Sequence, residues 1–264
     1  MLKRLRRWIE DRTLARLDLE ANWARSWERA VLDWPVAHRY QGAAREHLKD
    51  TAARFLLRKQ FVAGADLDLT DHMQLVVATM AAVPVLGLDL DWYRGWSSVV
   101  LYENAFIPDG EWEDEIGVVH RASEPLSGEA WPQGPVILSW ADVLGAGGEA
   151  GYNVVIHEMA HKLDMLADGP NGAPPLHREM DPARWQQVFT EAWSRLERAA
   201  ETGQPLPIDP YALEDSGEFF AVVSECFFEA PDRLAAALPD VFAELLAFYR
   251  QDPRSGAITT RIAF

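Results

Sequence analysis

The chain has 264 residues, 48% of them apolar, with 11 tryptophans, one cysteine and a formal net charge of −16. That is enough for one large domain or two small ones, with a substantial core. The acidity argues against direct nucleic-acid binding, which needs a positive surface, and the lone Cys226 excludes a disulfide framework or a cysteine-rich zinc site. Residues 3–7 are basic, but Glu10, Asp11 and Arg12 interrupt where a signal peptide would place its apolar core. No apolar run approaches the roughly 20 residues needed to cross a bilayer. The expectation is a cytoplasmic protein in a reducing compartment, with the basic cluster as the solvated end of an amphipathic helix.

In chain order, residues 1–34 repeat apolar positions with helical period, and Trp34-Pro35 breaks the pattern. A second helix is expected over 41–61. A loop at 66–71 ends in an N-cap, and a third helix over 73–83 is closed by Pro84. Residues 97–102 read as a strand, 108–115 as an acidic loop, 116–120 as a second strand and 135–140 as a third. Four glycines in Gly145–Gly151 make a mobile or tightly turned approach to the next helix, over 154–164. After a loop at 168–175, helices are expected over 182–201, 216–229 and 231–250, followed by a loose tail. A helical start, a small mixed sheet and a helical end make the class α+β, mainly helical.

The chemistry concentrates at His157-Glu158-Met159-Ala160-His161. On a helix, residues four apart stack on one face, so the two imidazoles can aim at one point. H-E-x-x-H is the arrangement of zinc hydrolases, with Glu158 as candidate general base. Val154, Val155, Ile156, Ala160 and Leu163 are apolar, so the helix is expected to be buried, and its polar groups then need a partner such as a metal. The bland alternative is two core histidines bonded to carbonyls.

A catalytic zinc usually takes three protein ligands. An extended metzincin pattern would need Gly at 164 and His at 167, where this chain has Asp164 and Ala167. Glu179 and Asp181 lie among prolines with no clear helix face. Glu218 heads a strongly apolar segment, where an unpaired carboxylate would be costly. However, Asp215-x-x-Glu218 also matches a capping box, so the residues alone leave ligand and cap open. Glu225 is the fallback ligand, or a carboxylate partner to a histidine. His38, His47, His72, His120 and His177 carry no motif and read as structural or exposed.

Five stretches, 88–93, 136–140, 157–164, 208–212 (Ile-Asp-Pro-Tyr-Ala) and 218–225 (Glu-Phe-Phe-Ala-Val-Val-Ser-Glu), make the chain resemble the Mlc titration factor A family of zinc peptidases. The catalytic core of that family is similar to that of anthrax lethal factor. The resemblance runs over about 45–253, with 1–40 as a helical extension, and implies a single zincin-like domain across 1–264. It implies a gluzincin site: His157, His161 and Glu218 as ligands of one Zn2+ per chain, Glu158 as base, and Tyr211 as the phenol that binds the oxyanion.

Zinc chemistry of this kind lowers the pKa of a water towards ~7 and polarises a carbonyl, while Glu158 moves the proton. The strand ending at Trp140 is expected to offer its edge to an extended peptide. Three functions are open: a zinc peptidase (an aminopeptidase among its forms), a protein that, as the resemblance implies, binds the transcriptional repressor Mlc of glucose uptake, and a structural metal protein with a spent site. Glu158 speaks against the last, because a structural zinc needs no base. The expected partners are a peptide or protein substrate and an Mlc-like repressor.

Overall fold

The apolar periodicity of the sequence resolves into helices laid around one small sheet. A computed structural model of the chain describes residues 2–17, 21–32, 34–65, 67–105, 111–113, 119–121, 128–130, 134–147, 151–167 and 169–259. The helices are α1 (Leu2–Leu17), α2 (Ala21–Val31), α3 (Pro35–Arg39), α4 (Gly42–Arg58), α5 (Asp71–Ala82), α6 (Trp140–Leu144), α7 (Val154–Asp164), α8 (Pro182–Glu201), α9 (Ser216–Glu229), α10 (Pro231–Ala237) and α11 (Pro239–Tyr249). The strands are β1 (Gln60–Ala63), β2 (Ser98–Tyr102), β3 (Glu111–Glu113), β4 (Val119–Arg121), β5 (Gly128–Ala130), β6 (Val136–Ser139), β7 (Gln251–Asp252) and β8 (Ala257–Ile258). The class is mainly helical α+β, as expected.

Local chemistry sets the helix starts. Thr70 caps α5 by accepting from Met73 N (3.3 Å), and Pro35 stands at the first position of α3, where its missing N–H costs nothing. Asn153 caps α7, its side-chain oxygen accepting from Ile156 N at 3.0 Å.

The main sheet runs β1-β2-β6-β5. Its first three strands are parallel and β5 is antiparallel to β6, with Gly128 opposite Leu138 and Ala130 opposite Val136. Helix α7 packs on β5 and β6 and also against α9. Buried side chains from Trp27 to Tyr249 form one apolar cluster. Helix α9 is buried on nearly every face. Its Phe227 and Phe228 rings pack against Tyr249, and its Phe220 ring against Trp185 and Phe248. Each aromatic removed from water in this way contributes about 1.5–3 kcal/mol.

Helix α1 is held to α4 by charge. Glu10, almost fully buried, accepts from Arg58 Nε (2.8 Å) and Nη2 (2.9 Å) and from Arg54 Nη1 (3.3 Å). Arg6, in the basic cluster, pairs with Asp91 and so is not simply solvated.

Several expectations need correction. Residues 60–61 are not the end of a helix: α4 stops at Arg58, and Gln60–Ala63 pairs in parallel with β2. Residues 231–250 form two helices, because Pro239 cannot continue α10 and instead begins α11. Residues 251–258 form a short hairpin, β7–β8, and not a loose tail. In the stretch expected as loop, Glu111–Glu113 pairs with Val119–Arg121, while 106–110 and 114–118 lie outside the described residues, as do 148–150 of the glycine segment. The strand at 136–139 is not a sheet edge, since β2 and β5 flank it. Among the described residues the edge strands are β1 and β5.

Candidate metal centre

Helix α7 carries its two histidines one turn apart on the face turned to α9. Their rings lie 4.7 Å apart at 74°, and the two Nε2 atoms are 3.0 Å from each other. Glu218, in the first turn of α9, completes a triangle. Its Oε2 is 3.0 Å from His157 Nε2 and its Oε1 is 3.4 Å from His161 Nε2. The donor atoms of His157, His161 and Glu218 all lie within 4.8 Å of one another.

The geometry also bears on the rival reading of Glu218 as half of a capping box. Asp215 caps α9, its Oδ1 accepting from Gly217 N (2.7 Å) and Glu218 N (2.9 Å). The Glu218 side chain turns to the histidines.

Behind the histidines lies a row of carboxylates and amides. Glu225 Oε1 is 2.8 Å from His157 Nδ1, and Glu225 Oε2 accepts from Asn153 N at 2.6 Å. Asn153 Nδ2 donates to Glu229 Oε1 (2.6 Å), which also accepts from Trp34 Nε1 (2.9 Å). With Nδ1–H donated to Glu225, the neutral, metal-binding form of His157 would present its Nε2 lone pair to the triangle.

Electrostatics bind the cluster together. Burial alone would lower the His157 pKa, but Glu218 and Glu225 outweigh it and hold it well above the ordinary histidine value. Burial would raise the Glu218 pKa, yet His157 and His161 bring it down to about 2. Burial raises Glu158 and Glu225.

The donor set fits a metal ion. Among the described residues, Glu218 Oε2 has no partner but the His157 ring 3.0 Å away, so with neutral histidines the ligand atoms would turn lone pairs on one another, a costly condition for buried polar atoms. Two imidazole nitrogens 3.0 Å apart beside a carboxylate are the N,N,O donors that borderline divalent ions take. An ion between them would use all three lone-pair sites.

Tyr211 is brought to the same place by a 3₁₀ turn, Pro210–Leu213, started by Asp209 accepting from Tyr211 N at 2.9 Å. Its ring is 6.0 Å from that of His157, and the residue is half exposed. Burial first, then Glu218 and Glu158, push its hydroxyl pKa up, so it stays protonated at neutral pH.

The remaining histidines are elsewhere. His177 bonds to Phe248 O (2.8 Å), His47 to Leu86 O (3.1 Å) and His38 to Leu32 O (3.0 Å), and His72 packs on Trp140. His120 lies in β4.

Two contacts at the site were not anticipated from the sequence. Asp164, one turn beyond His161, accepts from Gly172 N (2.7 Å) and ties the following loop to α7. Gly128 on β5 lies directly against Glu158. The role of Asn153 was accessible, because a cap residue stands immediately before an apolar helix.

Residues 5–250 match the sequence model of the family described as glucose-regulated metallo-peptidase M90. The chain is similar to Mlc titration factor A of Klebsiella pneumoniae, at 38% identity over 89% of each chain. It is 37% identical to that of Pectobacterium atrosepticum over 85% of each. With that of Yersinia pestis the identity is 35%, over 94% of this chain and 90% of the relative. The chain belongs to the M90 family of glucose-regulated metallo-peptidases.

Proposed function

We propose that the chain is a zinc-dependent peptidase of the gluzincin type, acting in the cytoplasm as a single domain over 1–264. The observation that carries this reading is the convergence of His157, His161 and Glu218 donor atoms beside the buried Glu158. Two imidazoles and one carboxylate, with a position kept for water, are the usual holders of a catalytic zinc. When bound, zinc would supply Lewis acidity, towards both a water and a substrate carbonyl.

The chain's own residues do the rest. Glu225 fixes the His157 ring so that Nε2 faces inward. Glu158 Oε2, buried and without a donor among the described residues, accepts a proton from the attacking water and returns it to the leaving amine. Tyr211 donates its hydroxyl to the carbonyl oxygen as negative charge develops there. Loss of one such donor has cost about 2.7–4 kcal/mol in a well-measured hydrolase. Among the described residues β5 stands at the edge of the sheet, where an extended substrate backbone would find a strand to pair with.

A second reading draws on the relatives' printed name, Mlc titration factor A. It makes this chain a binder of an Mlc-like repressor, with or without catalysis. Zinc content, hydrolysis and repressor binding of the parent and Glu158→Gln separate the readings. Aminoacyl anilides report aminopeptidase action and internally quenched peptides report endopeptidase action. About one zinc per chain in both proteins, with hydrolysis in the parent only, is the expected result. Repressor binding should survive in both. Zinc without hydrolysis in either, across both substrate types, overturns the peptidase in favour of the binder. No zinc in either overturns the metal centre.

A further inference from the structure

We propose that Gly128 is a positioning residue for Glu158: its missing side chain is the seat of the catalytic carboxylate, and any larger residue there displaces the base. This rests on Glu158 acting as proposed above. Strand β5 runs antiparallel to β6 at the edge of the sheet and lies across helix α7. At Gly128 the approach is so close that a Cβ would overlap Glu158 Oε1. The same atom would stand 2.9 Å from Glu158 Cδ and 2.8 Å from Val154 Cγ2.

What yields to such an atom follows from what each neighbour can do. The backbone of β5 is fixed by its register with 136–138 of β6, itself held on the far side by β2. Val154 sits in the first turn of α7, buried at 3% exposure and stiff at χ1. The Glu158 carboxylate is the end of a flexible chain, so it moves first. It is itself only 4% exposed, and any move carries it off the point beside His157 and His161. Glycine at 128 therefore fixes where the proton acceptor stands, not merely how strand meets helix. Strand backbones do not otherwise call for glycine here, since interior glycine weakens a strand.

The test uses the full chain with its zinc. Gly128→Ala should lower kcat on the order of 100-fold, the effect of a displacement of about 1 Å at a reacting group. KM and zinc content, near one per chain, should stay unchanged. A double-mutant cycle gives a readout independent of activity. In urea unfolding, the cost of G128A should shrink when combined with E158A, because the obstructing carboxylate is gone, and that double variant should fold if G128A alone does not. An unchanged kcat overturns the proposal. So does a cost of G128A that is the same with and without Glu158, or activity of G128A restored by V154A, which would make the contact simple packing. If the parent hydrolyses nothing, the peptidase reading falls, and the stability cycle still decides whether position 128 seats Glu158.

Discussion

Glu225→Gln turns one oxygen of a buried carboxylate into an amide nitrogen, and both oxygens are in use. Oε1 lies 2.8 Å from His157 Nδ1 and Oε2 accepts from the Asn153 backbone N–H at 2.6 Å. Glutamine has one acceptor, so one of the two donors must face an N–H. If the amide oxygen keeps Asn153, the His157 ring loses the partner that fixes its tautomer. If it keeps His157, the amide meets the N–H at the head of α7. Either way one charge-assisted hydrogen bond is lost from a residue only 4% exposed, which costs about 1.5–3 kcal/mol of stability. Removal of such a histidine-orienting partner typically costs 10–100-fold in metal affinity, or about 1.4–2.7 kcal/mol. The assay is competition for zinc against a chromophoric chelator, paired with urea unfolding of the metal-free protein. Zinc affinity within threefold of the parent, with the stability loss present, would refute the link between Glu225 and the metal. Unchanged stability as well would refute the two-acceptor argument.

Gly172→Ala should cost at least about 1–2 kcal/mol for forcing alanine to the left-handed φ of +74°. Its Cβ would overlap Ser216 O at the start of α9, so zinc affinity should also fall through Glu218, two residues on. Unfolding and zinc titration check this, and a stability loss with unchanged affinity would show that the loop absorbs the strain alone. Lys59 provides a pH dependence. Its ammonium donates to Tyr93 O and Trp96 O (2.6 Å each) and stands 3.4 Å over the Trp96 ring, while burial, then Lys162 and Arg58, lower its pKa to about 7. Between pH 7 and 10.5 the unfolded chain then holds a proton that the folded chain does not. Stability therefore rises with pH across that window, by at most about 1.4 kcal/mol per unit, and the cost of the buried charge is fully present below it. Lys59→Met should remove this slope, and identical urea midpoints against pH for parent and variant would refute it.

Sequence alone determined what depends on neighbours along the chain. The i, i+4 spacing places His157 and His161 on one face, and an apolar run around them predicts burial. The limits 154–164, 182–201 and 216–229 were legible for the same reason, since caps, prolines and period act within a turn or two. The resemblance in five short stretches carried Glu218 and Tyr211, which spacing could not decide: Asp215-x-x-Glu218 fits a cap as well as a ligand. Only the packing of α9 on α7 turns Glu218 to the histidines and leaves Asp215 to cap. Tertiary structure also decided strand order, placing 136–139 inside the sheet and, among the described residues, Gly128–Ala130 at its edge. The contacts of Gly128 with Glu158 and of Asp164 with Gly172 likewise exist only once strand, loop and helix are assembled. Pairing between strands and close approach between backbones depend on residues distant in the chain, and no local pattern encodes them.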